Sequence, residues 1–490
     1  MEQLVDLLYR PHDETWHGDA VLAFEALFGG GNRYPETALK REVQIRAPRL
    51  DSDGAPFAAL INHAAPNAGA YGGMSFVVFP SVSGSTCFGL VVGTQGLSPD
   101  EDVLTRPGHA RRTQAIARWL NREFGHGDLV AWAKQDPVRI DQPLPGSVAS
   151  WLGESLAATS KKYGDVMYAM SLVTPDRVLT TIALKAMLDV FMAGHGVATL
   201  KPERKEAAEI EASYMAHLMP DLTGSELASM LATRRFVVVE GPPGTGKTRM
   251  AIDLIENHYG GNGTSIQFHP NTTYEAFIGG LSPQSAHGPT GLSFYPKPGA
   301  LLTAIAAARA TPERPYLLHI DEINRADLAK VLGEAIYLFE PKADAARSIT
   351  LEHQFLGADG QVVEMPENLH VLGTVNSADR SVAILDLAIR RRFAFVSLWP
   401  QKTVVNELAC DLMKDAFDRL LNIFVDHASG EAMSLMPGHS YFLEQDTDRA
   451  KLALQTELQP LLTEYLAQGY VAGFAGEIAG YLQWIDAQTS

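Results

Sequence analysis

Residues 241–248 have the residue types and spacing of a phosphate-binding loop, called the P-loop below. In order they are Gly241, Pro242, Pro243, Gly244, Thr245, Gly246, Lys247 and Thr248. The glycines let backbone N–H groups curve around a β-phosphate. Lys247 can bridge the β- and γ-phosphates, and the Thr248 hydroxyl can coordinate Mg²⁺. An apolar strand pattern precedes the loop and a helical pattern follows it, which is the context that this motif requires. A chance glycine-rich turn is the weaker alternative, so the loop predicts a nucleoside-triphosphate site.

Two acids follow a second apolar strand pattern, at Asp321 and Glu322. A strand parallel to the one before the P-loop would place Asp321 beside Thr248, where its carboxylate can hold the Mg²⁺ shell. Glu322 would then lie near the γ-phosphate and could polarise the attacking water. On its own such a pair more often only caps a helix. In a chain that also has a P-loop, it favours nucleotide hydrolysis.

Two later features suit the control of that hydrolysis. A strand pattern ends at Asn376, whose neutral amide can hydrogen-bond both a γ-phosphate and a water; the alternative is an ordinary turn asparagine. Three consecutive arginines at 390–392 precede the last strand pattern. They are either a solvated basic edge or the source of an arginine finger for a neighbouring subunit's γ-phosphate. The sequence favours Arg391 and Arg392 equally as that finger.

The elements that must position these residues alternate between strand and helix from residue 235 onward. Five apolar segments read as strands, at 236–239, 265–268, 316–320, 371–375 and 393–396. Helical patterns between them predict a parallel sheet that is covered on both faces. Beyond residue 399 helical patterns dominate, for example at 403–421 and 452–466, and predict a small helical domain.

The first part of the chain has a different composition. Residues 54–99 contain no charged residue and are rich in β-forming residues, for example at 74–79 and 87–92, which predicts the short strands of an α+β domain. From about residue 114 to 234 the pattern becomes helical. At 490 residues the chain is too long for one ordinary core. We therefore expect four regions, listed in order: an α+β domain at 1–125, a helical linker region at 126–224, an α/β nucleotide-binding subdomain at 225–399 and a helical subdomain at 400–490.

Composition limits the functional classes. The formal net charge of −17 argues against nucleic-acid binding by the whole surface, although it allows a local basic groove or a basic pore. Cys87 and Cys410 lie far apart and cannot form a disulfide framework, which fits a reducing cytoplasm. The first residues lack the basic region of a signal peptide, and no uncharged run is long enough to cross a membrane. We expect a cytoplasmic protein without a membrane partner.

Taken together, these motifs resemble the AAA+ superfamily, and within it the McrB-like NTPases of modification-dependent restriction systems. Beyond the P-loop, the matching segments are QFHP at 267–270, YEAFI at 274–278, DEINRA at 321–326, VNSADRS at 375–381 and GHSYF at 438–442. The VNSADRS segment is the most specific, with Val and Ser where the family pattern MNTADRS has Met and Thr. The resemblance covers roughly residues 225–470.

The resemblance implies an α/β AAA+ core with strand order 5-1-4-3-2 and a helical lid, assembled into a hexameric ring with sites between subunits. It implies that Asn376, Asp379 and Arg380 tune hydrolysis in response to a partner, which in the family is usually an McrC-like nuclease subunit. His439 could approach the nucleotide from the lid, where many AAA+ proteins place an arginine. In the family the N-terminal domain is the target reader, commonly a DNA-binding or modified-base module. The substrate stays open between ATP and GTP, because we find no guanine-reading motif.

Several alternatives remain at this stage. A MoxR-like chaperone that remodels a protein partner shares the P-loop and the acidic pair, but the VNSADRS and GHSYF segments argue against it. A module that binds nucleotide only in order to assemble is disfavoured by Lys247, Glu322, Asn376 and Arg391. The pattern of Arg111, Arg112, Trp119 and Arg122 is either a DNA-contacting helix face or, more often, a surface helix with one buried Trp. Residues 347–363 predict a β-hairpin of undetermined role.

Overall fold

The architecture comes from a computed structural model of the chain. It describes residues 1–48, 55–65, 73–82, 86–93, 101–137, 139, 141–285, 292–340, 347–355, 361–379 and 387–489. The chain forms two compact units. The first comprises Met1–Pro220 together with Val425–Ser429, and the second comprises Asp221–Phe424 together with Gly430–Ser490.

The first unit is built on one antiparallel sheet. Its strands are β1 (Val43–Arg46), β2 (Ala58–Asn62), β3 (Met74–Phe79), β4 (Cys87–Val92), β5 (Ala131–Ala133) and β6 (Met167–Leu172). Its helices are α1 (Glu2–Leu8), α2 (Trp16–Glu25), α3 (Glu36–Arg41), α4 (Glu101–Leu104), α5 (Pro107–Phe124), α6 (Gly146–Leu152), α7 (Ala157–Tyr163), α8 (Arg177–Gly194) and α9 (Arg204–Met215). The sheet order is β1-β2-β3-β4-β6-β5.

Strands β3 and β4 explain the uncharged stretch of the sequence. Successive side chains of a strand point to opposite faces of the sheet. In β3, Phe76 and Val78 belong to one apolar cluster, and Val77 and Phe79 belong to another. Both faces are therefore buried, and neither tolerates a charge. The strands predicted at 74–79 and 87–92 are confirmed.

The predicted boundary at residue 125 is wrong, because the sheet continues through β5 and β6, which lie in the region expected to be a helical linker. Strand β6 pairs with β4 and with β5, both antiparallel. The backbones of β4 and β6 approach closely at Gly89, where a Cβ atom would lie 1.9 Å from the Ala169 carbonyl oxygen. Local pattern missed these strands because β5 has only three residues and β6 stands alone among helices. Their pairing depends on contacts with residues distant in sequence.

The second unit contains the nucleotide motifs. Its strands are β7 (Phe236–Gly241), β8 (Gly263–Gln267), β9 (Gly279–Ser285), β10 (Leu292–Pro298), β11 (Tyr316–Asp321), β12 (Ser348–Thr350), β13 (Val362–Glu364), β14 (Leu369–Asn376) and β15 (Ala394–Ser397). Its helices are α10 (Gly224–Arg234), α11 (Lys247–Asp253), α12 (Tyr274–Phe277), α13 (Ala300–Ala310), α14 (Leu328–Leu332), α15 (Leu387–Arg390), α16 (Lys402–Leu408), α17 (Asp411–His427), α18 (Thr447–Ala453), α19 (Gln459–Ala467) and α20 (Ala475–Thr489).

A five-stranded parallel sheet forms the centre of this unit, in the order β15-β7-β14-β11-β8. Counted along the chain, these strands have the order 5-1-4-3-2 that the resemblance implies. The five strands predicted from the sequence coincide with them to within about two residues, which is the usual uncertainty of strand ends. Alternate residues of β7 pack on opposite sides: Phe236 and Val238 in one core, Val237 and Val239 in another. Both faces of the sheet are covered, as the alternating pattern predicts.

Two hairpins extend from this framework. Strands β12 and β13 pair antiparallel and confirm the hairpin predicted at 347–363, whose turn at 357–360 lies outside the described residues. Strands β9 and β10 form a second hairpin that the sequence analysis missed. Proline is rare inside strands because it has no N–H to donate. Three prolines in these two strands hid the strand pattern.

After β15 the elements of the described residues are helices, as the pattern beyond residue 399 predicts. The helix expected at 403–421 is divided into α16 and α17 by Ala409 and Cys410. Throughout the part of the chain that the structure describes, none of the helices combines the length and hydrophobicity needed to cross a bilayer.

Candidate nucleotide-binding site

The register of the parallel sheet brings the predicted motifs to one edge. Asn376, the last residue of β14, lies opposite Gly241, where β7 leads into the P-loop. On the other side of β14, Ile320 of β11 lies opposite Gly373. Because parallel strands end at the same edge, the P-loop, Asn376 and Asp321 meet at the carboxyl ends of three neighbouring strands.

Two glycines shape the P-loop. Gly244 and Gly246 have φ angles of +78° and +79°, in the left-handed region that other residues enter only at a cost. The buried Thr245 hydroxyl donates a hydrogen bond of 2.9 Å to the carbonyl oxygen of Pro242 and closes the turn. Helix α11 begins directly afterwards, at Lys247. The predicted strand–loop–helix context is therefore present.

The Lys247 ammonium group lies inside the curve of the loop. Its Nζ atom donates to the carbonyl oxygens of Gly241, at 2.9 Å, and of Pro242, at 2.7 Å. Burial lowers the pKa of Lys247 to about 8, against the opposing influence of Glu322 and Asp321. A half-buried cation flanked by carbonyl oxygens would gain much from a negatively charged ligand. This is the electrostatic setting expected for phosphate binding.

Thr248 and Asp321 are in direct contact. The Thr248 hydroxyl lies 3.1 Å from each carboxylate oxygen of Asp321. The Thr374 hydroxyl donates a further hydrogen bond to Oδ1 of Asp321. Hydroxyl and carboxylate oxygens are the hard ligands that Mg²⁺ prefers, and Mg²⁺ usually takes one or two carboxylates together with substrate phosphates and water. The predicted pair of metal ligands therefore fits Mg²⁺ in type and position.

Glu322 has an unusual backbone conformation. Its φ angle of +53° lies in the left-handed region, and its backbone N–H donates to the Thr374 hydroxyl at 3.2 Å. Its Oε2 atom is buried, has no hydrogen-bond partner among the described residues and lies 3.4 Å from Nε of Arg325. Nη2 of the same arginine lies 3.4 Å from Oδ2 of Asp379. Arg325 thus links two of the predicted site residues, Glu322 and Asp379.

Comparisons with known proteins agree with this geometry. A family model described as AAA domain (dynein-related subfamily) matches residues 236–393. The EcoKMcrB subunit of the type IV methyl-directed restriction enzyme of Escherichia coli (strain K12) is 30% identical over 359 residues, which cover 67% of this chain and 76% of that protein. The chain belongs to the McrB-like family of AAA+ NTPases.

A second relative is less similar in sequence. The YdiS component of the type II restriction enzyme BsuMI of Bacillus subtilis (strain 168) is 26% identical over 196 residues, 34% of this chain and 57% of that protein. Both relatives are components of restriction enzymes, so they do not favour the MoxR-like alternative. A solved structure from Cytophaga hutchinsonii ATCC 33406, described as an ATPase, matches 52% of this chain and 68% of its own with 15% identity and a TM-score of 0.25, which is too low to support an argument.

The GHSYF segment of this McrB-like chain, residues 438–442 and called the lid segment below, touches the P-loop directly. The Gly438 N–H donates to the Pro243 carbonyl at 2.8 Å, and the Ser440 N–H donates to the Gly244 carbonyl at 3.0 Å. A Cβ atom on Gly438 would lie 2.0 Å from the carbonyl carbon of Gly244. The sequence could place this motif in the lid but could not predict backbone hydrogen bonds to the P-loop.

His439 in the lid segment lies beside the P-loop. Its Nε2 atom lies 3.7 Å from the position of a Cβ atom on Gly246, and its Nδ1 atom accepts a hydrogen bond of 3.2 Å from the Gln401 N–H. Burial and then the nearby Arg249 lower the pKa of His439. A neutral imidazole that accepts at Nδ1 carries its proton on Nε2. The side chain therefore directs a hydrogen-bond donor towards the loop.

The structure separates the three consecutive arginines. The guanidinium of Arg390 lies 5.1 Å from the ring centroid of Phe395, a cation–π contact. Arg392 is 6% exposed, whereas Arg391 is exposed. A finger for a neighbouring subunit must reach solvent, so this geometry favours Arg391 over Arg392.

Of the two remaining predicted residues, Asn376 is described by the structure and Arg380 is not. Oδ1 of Asn376 accepts a hydrogen bond of 3.3 Å from the Ala378 N–H, at the end of β14 beside the P-loop. Arg380 lies outside the described residues.

Sequence reasoning missed Thr374, although one signal was available: residues two apart on a strand share a face, and Thr374 precedes Asn376 by two.

The possible DNA-contacting helix face in the first unit is α5. Trp119 on this helix is 6% exposed, and its ring packs against Phe124 and Tyr214. Nε of Arg112 lies 3.7 Å from Oε1 of Glu211. A buried ring cannot stack on a base, so the structure does not favour a DNA contact through Trp119, and α5 buries further residues such as Ile116 and Leu120.

Proposed function

We propose that this chain is an Mg²⁺-dependent nucleoside triphosphatase that acts on ATP or GTP. The observation that carries the proposal is the contact between Thr248 and Asp321, at 3.1 Å, beside Lys247. It joins the P-loop and the acidic pair into one site at the sheet edge. Membership of the McrB-like NTPases supports the same activity.

Each residue of the site has a role in this proposal. The backbone of residues 241–246 surrounds the β-phosphate, and Lys247 binds the β- and γ-phosphates. Thr248 and Asp321 hold the metal shell, and the bound Mg²⁺ would neutralise charge that develops on the phosphates. Glu322 orients and polarises the attacking water, and Asn376 hydrogen-bonds that water and the γ-phosphate.

Four further residues act around this centre. His439 donates from the lid segment towards the phosphates. Arg391, or in the weaker alternative Arg392, serves the site of the next subunit as an arginine finger. Asp379 and Arg380 tune hydrolysis in response to a partner. Arg325 forms ion pairs with both Asp379 and Glu322, so a change at Asp379 can alter the position of the Glu322 carboxylate.

We further propose that the chain is the motor or regulatory subunit of a restriction-type anti-phage complex in the cytoplasm. It would assemble as a hexameric ring and act with a separate McrC-like or other nuclease subunit. Both relatives, each a component of a restriction enzyme, support this assignment. DNA would reach the complex through the first unit or through the partner.

The test is phosphate release by the purified full-length chain. ATP and GTP are each supplied with Mg²⁺, with and without DNA, and with and without the product of the neighbouring gene. We expect hydrolysis of at least one nucleotide, faster in the presence of a nuclease partner. A chain that binds neither nucleotide, or binds one without releasing phosphate under any of these conditions, would contradict the proposal.

A further inference from the structure

The Thr374 hydroxyl lies between the two acids of the proposed active site. It donates a hydrogen bond to Oδ1 of Asp321 and accepts one, at 3.2 Å, from the backbone N–H of Glu322. The residue is 1% exposed and stands on β14, the strand next to β11. A hydroxyl has one proton to donate. The Thr374 proton is donated to the Asp321 carboxylate, and a lone pair of the same oxygen accepts the hydrogen bond from the Glu322 backbone N–H.

Glu322 needs such support because of its backbone. At a φ of +53° a residue with a side chain is strained, and the strain persists only where surrounding contacts hold it. Two contacts do so here: the bond from the Glu322 N–H to Thr374, and a bond of 2.8 Å from the Arg325 N–H to the Glu322 carbonyl, which closes the short turn after β11. Without the first contact, Glu322 could relax to an ordinary conformation and its carboxylate would be redirected.

Asp321 depends on the same hydroxyl. Its carboxylate has the Thr248 hydroxyl at 3.1 Å and His319 Nε2 at 3.9 Å, besides the bond from Thr374. Thr248 belongs to the P-loop, whereas Thr374 donates to Asp321 from β14, the neighbouring strand of the sheet. Groups that hydrogen-bond a metal-holding carboxylate orient it and tune metal affinity.

We propose that Thr374 is a positioning residue that fixes the orientation of Asp321 relative to Glu322, so that metal and attacking water are aligned. The inference rests on the proposed triphosphatase function. It predicts that Thr374 matters for turnover and for metal affinity more than for nucleotide binding, because the P-loop makes the phosphate contacts.

The test compares T374V, which keeps the volume but removes the hydroxyl, with T374S, which restores it. We expect kcat of T374V to fall about 10- to 100-fold, since each lost hydrogen bond corresponds to about three- to tenfold, while KM changes less than about threefold. T374S should stay within about threefold of the wild-type kcat. A matched control is T180V, which removes an equally buried hydroxyl (1% exposed) in the first unit and should leave kcat unchanged.

A second readout does not depend on turnover. Binding of mant-ATP and mant-GTP is measured as Mg²⁺ is titrated, and the Mg²⁺ concentration at half-maximal effect should rise about tenfold in T374V. Circular dichroism checks folding; if T374V does not fold, T374C replaces it with the same expected losses.

The outcomes distinguish a failure of the role proposed for Thr374 from a failure of the proposed triphosphatase function. A wild-type protein that hydrolyses a nucleotide, together with a folded T374V of unchanged kcat and Mg²⁺ dependence, would overturn this inference alone. Equal losses in T374V and T374S would overturn it too, because the hydroxyl would not be the cause. A wild-type protein without hydrolysis would overturn the proposed function and this inference with it.

Discussion

The contact between the lid segment and the P-loop gives a prediction that a single methyl group can test. In Gly438→Ala, the new Cβ atom would lie 2.0 Å from the Gly244 carbonyl carbon, 2.2 Å from its oxygen and 2.4 Å from the Thr245 nitrogen. All three are backbone atoms, so no side chain can rotate away. Ordinary contact distances are about 3.5 Å, so the lid segment must move away from the loop by roughly 1 Å or more.

Such a displacement removes both backbone hydrogen bonds between the segments, now 2.8 Å and 3.0 Å long. At about 0.5–1.5 kcal/mol each, their loss amounts to roughly 1–3 kcal/mol, or about 5- to 150-fold in the equilibrium between docked and undocked lid segment. Because Nε2 of His439 moves with the segment, we expect nucleotide affinity to fall by a factor in this range.

The assay is equilibrium binding of mant-ATP and mant-GTP to the full chain, with the thermal midpoint of unfolding as a second measure. The matched control is Gly430→Ala, also among the C-terminal helices, where an added Cβ meets no atom of the described residues within 4 Å. Its affinity and thermal midpoint should match the wild type. If Gly438→Ala behaves like this control in both measurements, the lid segment does not lie on the P-loop and our account of the clash is wrong.

Three further predictions concern the proposed chemistry. Glu322→Gln should lower the rate of phosphate release at least about 100-fold and change nucleotide affinity less than about threefold, because only the polarising charge is lost; release at the wild-type rate would remove Glu322 from its role. Since burial lowers the pKa of Lys247 to about 8 and a bound triphosphate would raise it, nucleotide binding should take up a proton above pH 8, and affinity should fall up to about tenfold per pH unit there. Calorimetry at pH 9 in buffers of different ionisation enthalpy measures this uptake, and a pH-independent affinity between 8 and 9.5 would contradict it. Arg391→Ala should lower hydrolysis about 10³-fold, whereas Arg390→Ala, the matched control, should not. Mixing Arg391→Ala with Glu322→Gln should restore activity, because the finger is proposed to act between subunits; no restoration would contradict action between subunits.

The parts of the site that were predictable are those encoded by contiguous residues. The P-loop and the acidic pair each follow an apolar strand, so local pattern sufficed to place Asp321 and Glu322 at a strand end, and Lys247 and Thr248 at the start of the helix after the loop. The strands of the parallel sheet were predictable for the same reason, because strands buried on both faces form continuous apolar runs.

The parts that were missed depend on residues distant in sequence. Strands β5 and β6 are recognisable only through their pairing in the sheet of the first unit, and the prolines of β9 and β10 opposed their strand pattern. The left-handed backbone conformation of Glu322 could not be predicted from its residue type, because residues other than glycine seldom adopt that conformation. Arg391 and Arg392 are chemically identical, and only burial distinguishes them.

From sequence alone we predicted the chemistry that we propose for this chain: a phosphate loop, one carboxylate for the metal and one for the attacking water, each attached to a strand whose hydrophobicity drives its burial. Tertiary structure alone decided how these parts are held, through the Thr374 hydroxyl between two acids and the lid segment on the P-loop. The two kinds of interaction differ in the sequence separation over which they act. Strand, loop and helix propensities act between neighbouring residues, whereas a hydrogen bond from β14 to β11, or from residue 438 to residue 243, exists only after the chain has folded.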